Sequence, residues 1–321
     1  MLILILGLWV GNPAWAVTFL EDFADDPTQR GWVASGNHDL FAWNASLERL
    51  NVTWDTTNGH SFFARPLGVT LTRVDDFSFS FDLALTEAAG GVRNGRPGAM
   101  QVAVGLVNLA QATSNNYRRG AGQARDTLEF NWFPAGLIPG YGEVEPTLSL
   151  VSFDNAGRVR ANFDFPFEWE LSQALHVEVV YRAAERTVSM TARRSGGAAV
   201  TISLVLDEAF GPITLDAFAV MVWDETTSFG DSLRAQGWLD NVVITVPDPP
   251  IGELRWVAAG VSTVEFESRS GWRYALEASG DLQDWQTVGA PSSGTGGSMS
   301  LSDLREAIFS KQFYRVRVEV E

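Results

Sequence analysis

The chain of 321 residues contains no cysteine, which removes disulfides, thiolate metal centres and thiol nucleophiles together. Histidine is nearly as scarce: His38, His60 and His176 show no metal-ligand spacing. Cysteine protease chemistry is excluded, and few routes to a zinc hydrolase site remain. Positive charge is in deficit as well, with 23 Lys and Arg against 39 Asp and Glu and a formal net charge of −16. That is the wrong sign for a phosphate backbone or an anionic bilayer, so neither nucleic acid nor a membrane surface is an expected partner. The Gly-rich stretches at 90–91, 120–122 and 294–297 lack the Lys and following helix of a phosphate cradle and read as turns.

Long hydrophobic runs are absent except at the start. Met1 to Val10 is almost wholly apolar but stops at Gly11-Asn12-Pro13, short of the ~20 residues that span a bilayer. Ala14-Trp15-Ala16 puts small residues at the two positions read by signal peptidase, although the usual basic n-region is missing. The expectation is a signal peptide over 1–16, cleavage after Ala16, and a secreted or extracytoplasmic product with no membrane insertion. Export without disulfides points to a bacterial source.

What is abundant is apolar and aromatic: 45% hydrophobic residues, with 12 Trp, 20 Phe and 30 Gly. Period-two alternation recurs between Gly, Asn, Asp and Pro, as in Phe77-Ser78-Phe79-Ser80-Phe81-Asp82-Leu83, which sends Phe77, Phe79, Phe81 and Leu83 to one face. Similar patterns over 49–55, 127–133, 175–181, 187–193, 200–206, 217–223 and 238–246 predict an all-β chain, each strand with one core face and one wet face. So many strands fit a large two-sheet antiparallel sandwich over 17–247 better than one open sheet. Pro247, Pro249 and Pro250 make 248–250 a stiff linker, and a small β domain is expected over 251–321, with a short helix over Ser302 to Phe309.

Phe19-Leu20-Glu21-Asp22-Phe23, then Gly31-Trp32, and the closing Gly237-Trp238-Leu239-Asp240-Asn241-Val242-Val243-Ile244 resemble the concanavalin A-like lectin/glucanase superfamily, including its LamG-like members. The resemblance implies a jelly roll whose first and last strands are neighbours and whose curved inner sheet often binds glycans. It also implies, by position, a structural calcium between Asp22 and Asp240. Arg273-Tyr274-Ala275-Leu276-Glu277, Asp281-Leu282-Gln283-Asp284-Trp285 and Phe313-Tyr314-Arg315-Val316 resemble a small C-terminal module of exported Verrucomicrobia-like proteins, a module that implies no chemistry.

Glycoside cleavage needs two opposed carboxyls, and the Glu-x-Asp-x-(x-)Glu pattern of glucanase relatives is missing. On 127–133, Glu129 and Asn131 share a face but no second carboxylate follows; Glu143-Val144-Glu145 lies between prolines and reads as a loop. Sugar binding instead needs aromatic faces beside amides and carboxylates. Candidate ligand-binding residues are therefore Glu129, Asn131, Trp54, Asn116, Tyr117, Arg118, Tyr141 and Glu225. Calcium is the one metal that the oxygen-rich composition suits. The leading expectation is an exported, non-catalytic carbohydrate-binding protein with a polysaccharide or glycan partner. The alternatives are an adhesive surface protein that binds protein partners, and a glycan hydrolase or lyase.

Overall fold

Alternating sequence becomes antiparallel sheet throughout the computed structural model, which describes residues 16–58, 60–90, 101–114, 117, 124–138, 142–223, 232–247, 254–258, 262–268, 272–305 and 312–320. Residues 1–15 of the expected leader and the expected linker 248–250 lie outside the described residues, and Ala16 opens the first strand. The chain divides into two compact units, a larger one holding Ala16–Pro66 and Leu71–Val246, and a smaller one grouping Leu67–Thr70 with Pro247–Glu321. Among the described residues no helix is long and apolar enough to cross a membrane.

The larger unit contains, in chain order, β1 (Ala16–Glu21), β2 (Val33–Ser35), β3 (Phe41–Asn44), β4 (Arg49–Asp55), β5 (Ser61–Leu71), β6 (Phe77–Gly90), β7 (Val102–Val107), β8 (Thr127–Phe133), β9 (Gly136–Ile138), β10 (Gly142–Val144), β11 (Thr147–Phe153), β12 (Val159–Asp164), β13 (Leu175–Arg182), β14 (Thr187–Arg194), β15 (Ala199–Val205), β16 (Leu215–Val222) and β17 (Leu233–Pro247). One sheet runs β15-β14-β13-β6-β17-β4-β3, with β1 also paired to β17. The other runs β12-β11-β8-β7-β16-β5-β2. The chain passes repeatedly between them, and neighbouring strands pair antiparallel, so the unit is a jelly-roll sandwich. The first and last strands are neighbours, as the superfamily resemblance implied.

Alternation identified the inward faces. Phe77, Phe79, Phe81 and Leu83 are all buried. Phe81 meets Phe130 of the other sheet edge-on at 5.6 Å, and Phe79 meets Phe218 at 5.7 Å. A wet outer face holds for the first sheet but fails for the second, where β7 and most of β8, β11 and β16 are buried on both faces. The physical reason is a third layer. Small residues on the outer face (Ala103, Ala217, Ala219, Ala64) pack in one cluster with Ala112, Tyr117, Ala124 and Trp223. Tyr117 stacks on Trp223 at 5.3 Å, and His60 sets its ring edge-on to both. Gly105 belongs to this face for a steric reason, since a Cβ there would run into the Leu128 carbonyl oxygen of the next strand.

Buried carboxylates fasten the connecting loops. Asp154 is fully buried and accepts from the backbone N–H of Ala156, Arg158 and Gly211 and from Arg158 Nε at 2.6 Å. Burial pushes its carboxyl up, but these donors outweigh burial and hold it below the usual carboxylate range.

The smaller unit has β18 (Arg255–Ala258), β19 (Ser262–Glu267), β20 (Trp272–Ser279), β21 (Gln286–Thr287), β22 (Ser292–Ser293), β23 (Ser298–Asp303) and β24 (Phe313–Val320). They form a three-stranded sheet, β18-β19-β23, and a four-stranded one in which β20 pairs with β21, β22 and β24. Tyr274 is a core residue, while Trp285 is only half-buried, beneath the Arg315 guanidinium at 4.3 Å. Arg315 and Arg317 both donate to Glu277. Ser302 lies in β23 rather than at a helix start, and 306–310 lie outside the described residues.

Asp154→Ala strands the Arg158 and Gly211 donors, and a loss of about 3 kcal/mol is expected in urea unfolding at neutral pH. Because the folded carboxyl is held low, its contribution is full above the unfolded value near pH ~4 and disappears as pH falls through the folded value. The gap between wild type and variant should therefore narrow in acid.

Candidate functional site

The outer face of the second sheet can be laid out from strand register. Phe62 lies opposite Met221, Met221 opposite Ala103, Ala103 opposite Asn131, Asn131 opposite Ser149, and Ser149 opposite Phe163. Because paired residues share a face, these six form one row across β5, β16, β7, β8, β11 and β12. The next row reads Ala219, Gly105, Glu129, Val151 and Ala161, and a third reads Ala217, Val107, Thr127, Phe153 and Val159.

Exposure rises along the first row. Asn131 and Ser149 are completely buried, while Phe163 on the edge strand β12 is 48% exposed and Phe165 just beyond it 66%. Asn131 Nδ2 donates to Glu129 Oε2 at 3.2 Å. Asn131 Oδ1, Ser149 Oγ and Thr127 Oγ1 have no hydrogen-bond partner among the described residues. Buried polar atoms in native proteins are nearly always bonded, and an unmet group costs roughly 1–3 kcal/mol. The unmet oxygens of Asn131 and Thr127 on β8 and of Ser149 on β11 lie on one sheet face, and Ser149 is paired with the half-exposed Phe163. Glu129 is the one carboxylate in these three rows, so they do not offer the opposed pair that glycoside hydrolysis needs.

Glu129 and Asn131 thus come together on one face, as the alternation of 127–133 predicted, but in a buried setting rather than an open groove. Trp54 does not join them. It alternates inward with Leu50 and Val52 on β4 and is fully buried between the sheets, because a strand position of that parity faces the core. Tyr117 is likewise buried, as part of the third layer and not as an exposed platform. Asn116, Arg118, Tyr141 and Glu225 lie outside the described residues. Ser149 and Phe163 were missed. The strict alternation of Val159, Ala161 and Phe163 against Arg160, Asn162 and Asp164 was an available signal for β12.

The pairing of β1 with β17 brings Asp22 close enough to Asp240 for their charges to interact. The donors do not fit calcium, which takes 6–8 oxygens. Asp22 is engaged by Arg30 at 2.7 Å, and that guanidinium, with the Ala24 N–H, holds its carboxyl below the usual range. Asp240 Oδ1 accepts from the Asn241 N–H at 2.7 Å; burial first, then the charges of Asp82 and Asp22, pushes its carboxyl up. Among the described residues no group of three or more acidic or histidine side chains could hold a metal ion. Among the described residues the cation that engages Asp22 is the Arg30 guanidinium.

No family model matches the chain, and no curated protein matches it in sequence. Among solved structures the chain is similar to peanut lectin with a bound nonapeptide, at TM-score 0.47 and 12% identity over 73% of this chain and 99% of that one. It is similar to lectin I from Ulex europaeus with the methyl glycoside of α-L-fucose, at TM-score 0.47 and 12% identity over 72% and 98%. It is also similar to winged bean acidic lectin with methyl-α-D-galactose, at TM-score 0.44 and 10% identity over 73% and 100%. The jelly-roll assignment rests on the strand order itself.

Since Ser149 Oγ bonds to nothing described, Ser149→Ala should leave the unfolding free energy within about 1 kcal/mol of wild type or raise it, as read by urea denaturation. A loss above about 2 kcal/mol would mean that the hydroxyl has a structural partner.

Proposed function

We propose that the protein is an exported, non-catalytic carbohydrate-binding protein whose ligand site is the Asn131–Ser149–Phe163 row with Glu129 beside it. The observation that carries this reading is the union of unmet buried hydrogen-bonding atoms with an exposed aromatic ring on one sheet face. A pyranose presents the complementary surfaces: C–H faces that stack on a phenyl ring and hydroxyls that both donate and accept. Entry is from the β12 side, where exposure is highest. Glu129, held by Asn131, accepts from sugar hydroxyls, while Ser149 Oγ and Asn131 Oδ1 complete the polar contacts. Export follows from the N-terminal apolar run and the Ala14-Trp15-Ala16 cleavage pattern, with sandwich 17–247, linker 248–250 and C-terminal domain 251–321 as the mature layout.

A glycan array probed with residues 17–321, paired with a reducing-sugar assay on each hit, tests the reading. Saturable binding without product release is expected. Phe163→Ala, a change at a half-exposed position, should weaken binding about tenfold or more while leaving thermal unfolding nearly unchanged. Absence of binding to any glycan would favour the adhesive alternative, for which the exposed Val159, Phe163 and Phe165 supply an apolar edge. Product release would favour the hydrolase or lyase.

A further inference from the structure

Arg65 occupies a position that strand parity reserves for the core. It lies opposite Phe218, which faces inward against Phe79 and Phe81, and Phe63 two residues earlier stacks on Trp32 at 5.1 Å. Its guanidinium fits where Gly31, at φ +88, has no side chain; a Cβ there would collide with it. It donates through one terminal nitrogen to the Arg30 carbonyl and lies 5.9 Å from the Phe19 ring centre. Among the described residues it forms no ion pair. The nearest candidate, Glu21, is already engaged: it accepts from Arg30, from the Phe23 N–H at 2.9 Å and from Trp32 Nε1 at 2.8 Å. Burial first, and the neighbouring Arg30 charge after it, push the Arg65 pKa down, with Glu21 opposing.

A partly buried guanidinium without its own acid is costly unless an anion completes it. Beside it is a cavity of about 90 Å³, lined by Phe19, Leu20, Glu21, Arg30, Trp32, Arg65, Val242 and Ile244. A single water needs roughly 10–15 Å³ measured this way, so the cavity admits a carboxylate and part of the body that carries it. The remaining Arg65 N–H groups offer the planar fork that binds a carboxylate through two bonds, and Phe19, Val242 and Ile244 form an apolar wall for the attached carbons.

We infer that this cleft is a second ligand site, separate from the outer-face row, and that it takes a carboxylate on a compact body, of which a uronic acid sugar is the type. The assignment stands independently of the outer-face reading, because the two sites share no residue.

The test titrates the full chain with D-glucuronate, with D-glucose as the neutral counterpart and with acetate as a bare carboxylate, read by calorimetry and thermal shift. Saturable glucuronate binding that weakens with salt, with glucose at least about tenfold weaker, supports the site. Acetate binding as well as glucuronate would also support it and assign recognition to the carboxylate alone. Arg65→Gln should lose the response, and Phe163→Ala should keep it. Should Arg65→Gln fail to fold, the glucuronate-to-glucose ratio and its salt dependence on wild type still decide. Equal binding of glucose and glucuronate, no binding of glucuronate, or unchanged binding by folded Arg65→Gln would overturn the inference.

Discussion

The constraint on which the molecule depends is burial of its second sheet on both faces. An inner aromatic layer of Phe79, Phe81, Phe130 and Phe218 joins the two sheets by side-chain packing that any sandwich requires. The outer layer is unusual for an antiparallel sheet, which commonly leaves one face to water. Small side chains at 64, 103, 217 and 219 let Tyr117 and Trp223 lie close over the strands. Every polar residue on that face is then removed from solvent and must find a partner inside the protein or in a ligand.

That constraint is what gives a few ordinary residues their weight in the proposed site. On an open sheet Asn131 and Ser149 would be hydrated and uninformative. Buried, their unmet oxygens carry a free-energy cost, which a ligand of the proposed kind would offset by supplying the missing bonds. The same logic applies to Arg65. Its charge sits at an inward register position, and the carboxylate nearest to it is satisfied by Arg30, Trp32 and a backbone N–H. Both proposed sites rest on burial of polar groups rather than on a residue motif: unmet oxygens in one and a guanidinium without an ion pair among the described residues in the other.

Strand patterning made the sandwich legible. The boundaries 49–55 and 127–133 match β4 and β8, and the inward set Phe77, Phe79, Phe81 and Leu83 needed only period-two alternation. Cover was not legible. Glu129 and Asn131 looked solvent-facing because alternation gives parity but not what lies above a face. Trp54 was a candidate ligand-binding residue, yet its parity with Leu50 and Val52 sends it to the core. Asp22 suggested calcium by its place beside the last strand, and the pairing with Arg30, eight residues away in sequence, is a tertiary fact. Nothing in the local sequence around Arg65 signals that its guanidinium meets Gly31 and the Arg30 carbonyl, which is also a tertiary fact.

A crystal structure of the protein with the best array glycan tests the central claim most directly. The account predicts a sugar ring over Phe163 with hydroxyls bonded to Asn131 Oδ1 and Ser149 Oγ, and the outer layer displaced on the β12 side. A glycan bound elsewhere, with the Asn131–Ser149 row still closed and its oxygens still unmet, would contradict it.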